Sequence, residues 1–383
     1  MVPNDYPLLA ARARFLEMEM AIRSLRSGFR GPYSFRVEDL HSGMATAIGG
    51  DEAYSDSGAN HVALCLYAFA QAAEGQLQLD AEVEYLPEDR VADTGPLQSA
   101  TFGDRYSIQQ LCQYALLDND RIAQRMLGRT LGDAAVKEWL RTVCGRPSAP
   151  GSFGTSPADT VTLLKYLVAL VERRPLLGGT LLEWMIHTGR AGLCALLPDG
   201  VRVAHSPVTT LHTVADAGFV FLPKAPYVVS IMVDAAWAPE KDQALEHLAQ
   251  VSKVLYDHLV LVAGSFVGLH VNGERVVSRL PVCLYRGEPV GPVAEIAGAL
   301  GVDVQTNPIT RAVTLQRAGA LAMVTPGDAH LQTQSDARIL PVEPFLLEGI
   351  CHAPLIPVFT ALGVRADWDA DCNRMALATA ASN

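Results

Sequence analysis

The alternation of apolar and polar positions predicts how the chain opens. Apolar residues recur at helical spacing over residues 5–27, and Gly28 follows them as a stop. Strict alternation over residues 33–38 predicts a half-buried strand, and a second short strand ends at Ile48 after a turn. The pattern therefore predicts a helix followed by a two-stranded hairpin.

A block of helices occupies the middle of the first 260 residues. Residues 62–73 are apolar on nearly every side, which predicts a helix that is buried all round. Ser107 and Gln110 form a capping box before another helix, and Pro157 lies in the first turn of a third. Three strands and a last helix are then predicted at residues 201–204, 217–222, 227–233 and 239–258. Strands at both ends of a helical middle predict one α+β domain.

The last third of the chain repeats itself. Ala299-Leu300-Gly301-Val302 recurs as Ala361-Leu362-Gly363-Val364, and each copy predicts a helix ended by glycine and followed by two strands. We therefore expect a first domain over residues 1–262 and a smaller α+β domain over residues 268–383. The two repeats of the smaller domain are expected at about 268–318 and 335–380.

The composition excludes several classes of protein. Hydrophobic residues make up 49% of the 383, which provides ample material for a core. A net charge of −11 without a basic run disfavours a nucleic-acid partner. The longest apolar run, residues 259–268, is too short and glycine-rich to span a bilayer, and the N-terminus carries no secretion signal. We expect a cytoplasmic protein or the mature form of an exported one, without a transmembrane segment.

Several segments of the first 260 residues resemble the class A β-lactamase and penicillin-binding-protein family. These segments are Asp51-Glu-Ala-Tyr54, Gly75-Gln-Leu-Gln-Leu-Asp80, Leu196-Leu-Pro-Asp-Gly-Val-Arg-Val-Ala-His205 and Asp216-Ala-Gly-Phe-Val220. The resemblance implies an antiparallel sheet flanked by helices, with an all-helical subdomain. It also implies serine acyl transfer, in which a hydroxyl attacks a carbonyl while a neighbouring group takes its proton.

The family's catalytic motifs are not intact in this sequence. Its Ser-x-x-Lys falls on Gly58 and His61, its Ser-Asp-Asn on residues 119–121, and its Lys-Thr-Gly on residues 206–208. The segment from residue 145 to 155 contains no Asp or Glu to activate a deacylating water. We therefore predict no catalytic residue and no cofactor. The predicted vestigial pocket comprises Gly58, His61, Asn119, Asp120, Arg121 and Ser206.

Alternative roles remain open for three polar residues. Ser57 is either the N-cap of the buried helix or a displaced nucleophile. His61 is either a histidine satisfied by a local hydrogen bond, or a ligand contact or general base near Asp120. Ser206 and His205 are adjacent on a predicted strand, so their side chains point to opposite faces and do not form a dyad. The histidines show no metal-ligand spacing.

The resemblance also concerns Cys65 and Cys112. In some class A enzymes cysteines at the equivalent positions are bonded across two buried helices. The resemblance therefore implies that this pair is in contact, either as a disulfide or as two reduced core residues.

The tail resembles the copper amine oxidase N-terminal-like repeat domain. The resemblance rests on Val271-Asn-Gly273, on the duplicated Pro-x6-Ala-Leu-Gly-Val, and on Ala366-Asp-Trp-Asp369. It implies no copper, because no His-x-His pair is present and His330 and His352 are isolated. Such domains accompany exported bacterial proteins, which favours an envelope location and a protein partner or cell-wall-like ligand. The missing signal and the odd number of cysteines, seven, favour the cytoplasm.

The sequence therefore predicts a catalytically inactive β-lactamase-like protein that acts as a binding, scaffold or assembly component. The alternatives are a hydrolase of this family with a non-standard mechanism and an oligomeric structural protein. Labelling with a penicillin distinguishes the first alternative, and sizing at several concentrations distinguishes the second.

Overall fold

The five-stranded sheet of the first domain joins the two ends of that domain. A computed structural model describes residues 2–26, 33–54, 59–92, 95–145, 155–210, 212–234 and 241–379. All neighbours in the sheet are antiparallel, in the order β2-β1-β7-β6-β5. The strands are β1 (Tyr33–Asp39), β2 (Ala45–Ile48), β5 (Arg202–Thr209), β6 (Thr213–Phe221) and β7 (Tyr227–Asp234). The sheet thus pairs an N-terminal hairpin with a late meander, as the order of elements predicted.

Helices cover both faces of this sheet. The first and last helices of the domain, α1 (Pro7–Arg26) and α8 (Lys241–Leu259), pack against each other and contribute to one core with the sheet. The other face carries the helical layer: α2 (Ala59–Ala73), α3 (Ile108–Leu117), α4 (Arg121–Leu131), α5 (Asp133–Cys144), α6 (Pro157–Arg173) and α7 (Pro175–Ile186). A short hairpin of β3 (Glu82–Glu84) and β4 (Arg105–Ser107) precedes α3.

Helix α2 lies at the centre of the helical layer. It packs against α3, α4, α5, α6 and α7, so apolar side chains are needed on nearly all of its sides. The capping boxes at Ser107 and Ser156 are both present, and each serine side chain accepts the backbone N–H three residues later. Local sequence therefore determined where α3 and α6 begin.

The tail is built from three small sheets and two short helices. The sheet orders are β10-β11-β18-β17, β12-β13-β14-β15-β16 and β19-β20-β8-β9. The elements of the first half are β8 (Gly268–Val271), β9 (Glu274–Val276), β10 (Cys283–Tyr285), β11 (Glu288–Pro292), α9 (Val293–Ala299), β12 (Asp303–Thr306), β13 (Val313–Arg317) and β14 (Ala320–Val324). Those of the second half are β15 (His330–Thr333), β16 (Ala337–Ile339), β17 (Phe345–Leu347), β18 (Ile350–Pro354), α10 (Leu355–Thr360), β19 (Arg365–Asp369) and β20 (Arg374–Ala378).

The duplication read from the sequence corresponds to a duplicated order of elements. Strands β10 and β11, helix α9 and strands β12 and β13 recur in the same order as β17, β18, α10, β19 and β20. Gly301 and Gly363 follow equivalent helices with φ of 67° and 69°, a left-handed conformation that glycine adopts without strain. Strands β11 and β18 pair at the centre of one sheet, so the two repeats share it.

The tail packs against the first domain through the N-terminal segment. The Tyr6 hydroxyl donates to the Val290 carbonyl over 3.3 Å, and its ring makes an edge contact with Phe345. The Tyr285 hydroxyl donates to Asp5 over 2.7 Å, and Arg12 pairs with Glu348 over 2.7 Å. Buried residues of both regions belong to one hydrophobic cluster. The two regions therefore share a core, although their sequences read as distinct units.

Across the described residues, no helix is both long enough and apolar enough to cross a membrane.

Candidate functional site

Two members of the predicted vestigial pocket are in direct contact. His61 lies in the first turn of α2 and Ser206 lies in the middle of β5. The His61 Nε2 and Ser206 Oγ atoms are 2.6 Å apart, a short hydrogen bond. The residues are 1% and 4% exposed, respectively. The space between helix α2 and the sheet edge is thus closed by an imidazole and a hydroxyl that bond to each other.

The turn between α3 and α4 uses its polar residues for structure. Asp120 is completely buried and caps α4: its Oδ1 accepts the N–H groups of Ile122 and Ala123 at 2.9 and 3.0 Å. Its Oδ2 accepts the Leu97 N–H at 2.8 Å. Asn119 adopts a left-handed φ of 50°. Both oxygens of Asp120 are therefore engaged with backbone N–H groups.

The charge of Asp120 acts on its neighbour Asp118. Burial raises the pKa of the Asp118 carboxyl, and the charge of Asp120 raises it further. Asn119 Oδ1 accepts a hydrogen bond from Gln124 Nε2 at 2.9 Å, which holds this side chain against its own helix. The side chains of Asn119 and Asp120 are therefore both engaged in hydrogen bonds within the described part of the chain.

Arg121 is the pocket residue that lines a cavity. The cavity has a volume of about 270 Å³ and lies beside α4, where Arg125 and Asn60 also line it. Asn60 Oδ1 is buried and has no hydrogen-bond partner among the residues that the structure describes. Where the family resemblance places an asparagine, this chain therefore has an arginine beside a polar cavity.

Two predicted features fall on segments outside the described residues. Gly58 and Ser57 lie in residues 55–58, so their assignments stay predictions. Most of the segment from residue 145 to 155 lies in residues 146–154, which the structure does not describe either. The flanking residues Tyr54 and Thr155 form a β-bridge, in which the Tyr54 N–H donates to the Thr155 carbonyl at 3.1 Å. The described residue before the first segment thus pairs with the described residue after the second.

The predicted contact between Cys65 and Cys112 is present. The Cys65 thiol donates to the Cys112 carbonyl over 3.6 Å, and burial raises the pKa of Cys65. All seven cysteines are free thiols in the structure. The pair therefore packs α2 against α3 without a disulfide.

The opposite face of β5 carries a buried polar cluster. His205 Nδ1 is 2.8 Å from Asp216 Oδ2, and His205 Nε2 is 3.0 Å from the Gly189 carbonyl and 3.2 Å from Cys194 Sγ. Asp216 also accepts the Leu193 N–H at 2.8 Å. Burial opposes the imidazolium, but the charge of Asp216 and its hydrogen bond outweigh this effect and raise the pKa of His205 to about 11.

Sequence reasoning placed His205 on the face opposite Ser206 but missed its partner. The β5–β6 register pairs His205 with Gly218, and Asp216 is the diagonal neighbour two residues away on the same face. Gly218 is required there, because a Cβ at this position would collide with the Ala204 carbonyl. Strand alternation combined with the hairpin register would have identified the pair.

The histidines of the tail do not form a metal site. His330 bonds to Asp328 over 2.8 Å on the surface, whereas His352 is buried and stacks on Phe345. Within the described ranges, no three His, Cys, Asp or Glu side chains are placed to hold a metal ion. The arrangement therefore does not fit copper.

Comparison with known families assigns the first domain. Residues 17–259, more than half of the chain, match the beta-lactamase enzyme family. The chain belongs to this family. Residues 270–377 match the copper amine oxidase N-terminal domain, so the order of the two domains predicted by the resemblances is confirmed.

Solved structures similar to this β-lactamase-family chain support its fold. PBP-A is 22% identical with a TM-score of 0.58, and the match covers 63% of this chain and 96% of PBP-A. A variant of the last common ancestor of Gram-negative bacteria class A β-lactamase is 25% identical with a TM-score of 0.56, covering 62% and 96%. A β-lactamase from Chitinophaga pinensis is 18% identical with a TM-score of 0.57, covering 63% and 99%. The predicted β-lactamase/transpeptidase-like fold is confirmed.

Proposed function

We propose that this protein is a β-lactamase-family member without acyl-transfer activity, and that it acts as a binding, scaffold or assembly component. The observation that carries the proposal is the buried hydrogen bond between His61 and Ser206. The resemblance puts the family's lysines at both positions. Here an imidazole and a hydroxyl satisfy each other instead, and neither is accessible to a substrate.

The other motif positions support the same proposal. Acyl transfer needs a nucleophile, a group that takes its proton, and groups that orient the substrate. Gly58 offers no nucleophilic atom, and Pro207 lacks the N–H through which a strand edge would bind substrate. Asp120 holds the start of α4 with both oxygens. Each part of the mechanism is therefore replaced or engaged elsewhere.

The proposed partner is a protein or a cell-wall-like ligand, bound through the tail in the cell envelope. The match of residues 270–377 to a domain that the resemblance associates with exported proteins supports this location. Fractionation of the native cell tests it, because recovery with cytoplasmic markers would contradict an envelope role. Affinity capture from the same cells, with the full chain as bait, would identify the partner.

Intact-mass spectrometry after incubation with penicillin G tests the absence of acylation. We expect only the parent mass, whereas an active class A β-lactamase treated in parallel shows the acyl adduct or rapid hydrolysis. An adduct mapped to any serine of the cleft would contradict the proposal.

Restoring two motif residues sharpens this test. We expect the double variant Gly58→Ser, His61→Lys to fold but to hydrolyse a chromogenic cephalosporin no faster than the parent. Displacing the substrate by about 1 Å can cost about a hundredfold in rate, and losing proton transfer costs roughly another 10²–10⁴-fold. Slow labelling of the new serine is compatible with the proposal. A burst followed by steady turnover would show that the rest of the site is intact.

A second candidate function, a hydrolase of non-standard mechanism, is favoured by the same contact. A serine hydroxyl within hydrogen-bond reach of a histidine is the first half of a nucleophile–base pair. The 4% exposure of Ser206 opposes it. Reaction with a fluorophosphonate probe tests this function, with Ser206→Ala as the matched control. Labelling of the parent that disappears in this variant would favour the hydrolase over the non-catalytic protein.

A further inference from the structure

A second cavity lies between the first domain and the tail. It has a volume of about 300 Å³, and we call it the interdomain cavity. Its lining from the first domain includes Leu40, His41, Val168, Glu172, Phe221 and Lys224, and its lining from the tail includes His270, Arg275, Asp371 and Arg374. This volume is at the lower end of the range for small-ligand sites. Neither the family motifs nor the pocket around His61 includes any of these residues.

Three cations converge on this cavity without a partner. Lys224 comes from the turn between β6 and β7, Arg275 from β9, and Arg374 from the start of β20. None of the three makes an ion pair or a side-chain hydrogen bond with another described residue. Lys224 and Arg374 are exposed, whereas Arg275 is half-buried, and burial lowers the pKa of its guanidinium although nearby carboxylates oppose this effect. A partly desolvated guanidinium that forms no direct ion pair would be stabilised by an anionic ligand.

The carboxylates around the cavity do not form ion pairs with these three cations. Glu172 lies 3.2 Å from His270 Nε2; this hydrogen bond holds the pKa of Glu172 down against burial, and the charges of Arg275 and Arg374 add to the effect. Asp371 is exposed at the rim. Glu38, which is close enough to act on Arg275, is paired with Lys165 and Arg36.

Asp39 also acts on Arg275 through its charge but is engaged elsewhere. Its Oδ1 accepts the hydroxyl and N–H of Ser42, both at 2.7 Å. Among the lining residues, the cations Lys224, Arg275 and Arg374 outnumber the carboxylates Glu172 and Asp371, in a chain whose net charge is −11.

The remaining wall of the cavity is apolar. Leu40, Val168 and Phe221 of the first domain contribute apolar side chains to its lining. An inorganic anion would leave this wall without a contact, whereas an organic acid would cover it and place its charge among the cations. A guanidinium also presents its donors in the planar geometry that matches a carboxylate.

We propose that the interdomain cavity binds a small organic carboxylate, with Lys224, Arg275 and Arg374 around the charged group and Phe221 and Val168 against the apolar part. Because the cations come from both sides of the interface, the ligand joins the tail to the first domain. The site is independent of the proposed loss of acyl transfer, and either can be wrong without the other.

Calorimetric titration of the full chain with phenylacetate tests the proposal, with phenylacetamide as the uncharged ligand of the same shape and phosphate as the inorganic anion. We expect saturable binding of phenylacetate and at least about tenfold weaker binding of the other two ligands. Phenylacetamide lacks the charge-assisted hydrogen bond, and phosphate lacks the apolar contact. Equal binding of acid and amide, or of acid and phosphate, would overturn the proposed ligand class. Absence of saturable phenylacetate binding would overturn the site.

A pair of arginine variants assigns the binding to this cavity. Arg275→Gln should weaken phenylacetate binding at least about tenfold. Arg279→Gln, which replaces an exposed arginine of the same domain outside the lining, should bind like the parent. The circular dichroism spectra of both variants show whether they are folded. Equal affinity of the Arg275→Gln protein and the parent would contradict the proposal.

Discussion

The pocket around His61 and the interdomain cavity differ in whether their polar groups are paired within the protein. In the first, an imidazole and a hydroxyl bond to each other over 2.6 Å and both are buried. In the second, three cations line about 300 Å³ of open space, and no described residue pairs with them. Polar groups that hydrogen-bond to each other have little remaining capacity to bind a ligand, whereas unpaired charges beside a cavity favour ligand binding. The place where the fold predicts chemistry is therefore the less receptive of the two.

The two faces of β5 add a second contrast within the first domain. Ser206 forms a hydrogen bond with His61 of α2 on one face, while the adjacent His205 forms a buried ion pair with Asp216 on the other face. The His205–Asp216 pair therefore braces the β5–β6 hairpin and, through the Leu193 N–H, the segment that precedes it.

The largest expected effect comes from breaking the buried ion pair. Asp216→Asn should lower the free energy of unfolding by about 3–5 kcal/mol, because it leaves a buried charged histidine without its partner. Asp328→Asn is the matched control: Asp328 and His330 are also 2.8 Å apart but are exposed, so a much smaller loss is expected. Urea unfolding measures both values, and equal losses would contradict the structural role of the buried pair.

An intermediate effect is expected from the hydroxyl of the vestigial pocket. Ser206→Ala should cost about 1–3 kcal/mol, because the His61 imidazole loses a partner inside the protein. Ser230→Ala is the control, since the buried Ser230 hydroxyl has no hydrogen-bond partner in the described part of the chain, so its removal should not lower stability. If both variants unfold at the same urea concentration, the His61–Ser206 bond does not satisfy the pocket.

The pH dependence of stability should report the His205–Asp216 pair. The pKa of His205 is about 11 in the folded state, above its ordinary value near 6.5, so the contribution of the pair is complete below about pH 6.5 and is lost as the pH rises towards 11. The free energy of unfolding should fall by up to about 1.4 kcal/mol per pH unit in this window. Urea titrations of the parent and of Asp216→Asn isolate this contribution, because other groups titrate in both proteins. The same slope in both would contradict the raised pKa.

The smallest stability effect is expected in the interdomain cavity. Lys224→Gln should change the free energy of unfolding by less than about 0.5 kcal/mol in the absence of organic anions, because this exposed ammonium has no partner to lose among the described residues. Urea unfolding in chloride buffer measures the change. A loss comparable with that of Ser206→Ala would show that the cation already has a structural partner, and the contrast between the two sites would fail.

Much of the architecture followed from short-range sequence signals. The capping serines 107 and 156, the apolar helix over residues 62–73 and the duplicated Ala-Leu-Gly-Val each depend on neighbours a few residues away. Such signals are local, so a short stretch of sequence is sufficient to predict the element. The resemblance then placed His61 and Ser206 in one predicted pocket, whereas the hydrogen bond between them was seen only in the structure.

Only the tertiary structure decided which distant segments are in contact. His61 and Ser206 are separated by 145 residues, and Lys224 meets Arg275 and Arg374 only because the tail packs beside the first domain. Hydrogen bonding and electrostatic attraction or repulsion depend on distance in space, and the helical layer and the shared core set those distances. The sequence by itself determined which chemical groups this protein possesses and in which order they follow one another. Folding decided which of those groups are satisfied internally and which are left for a ligand.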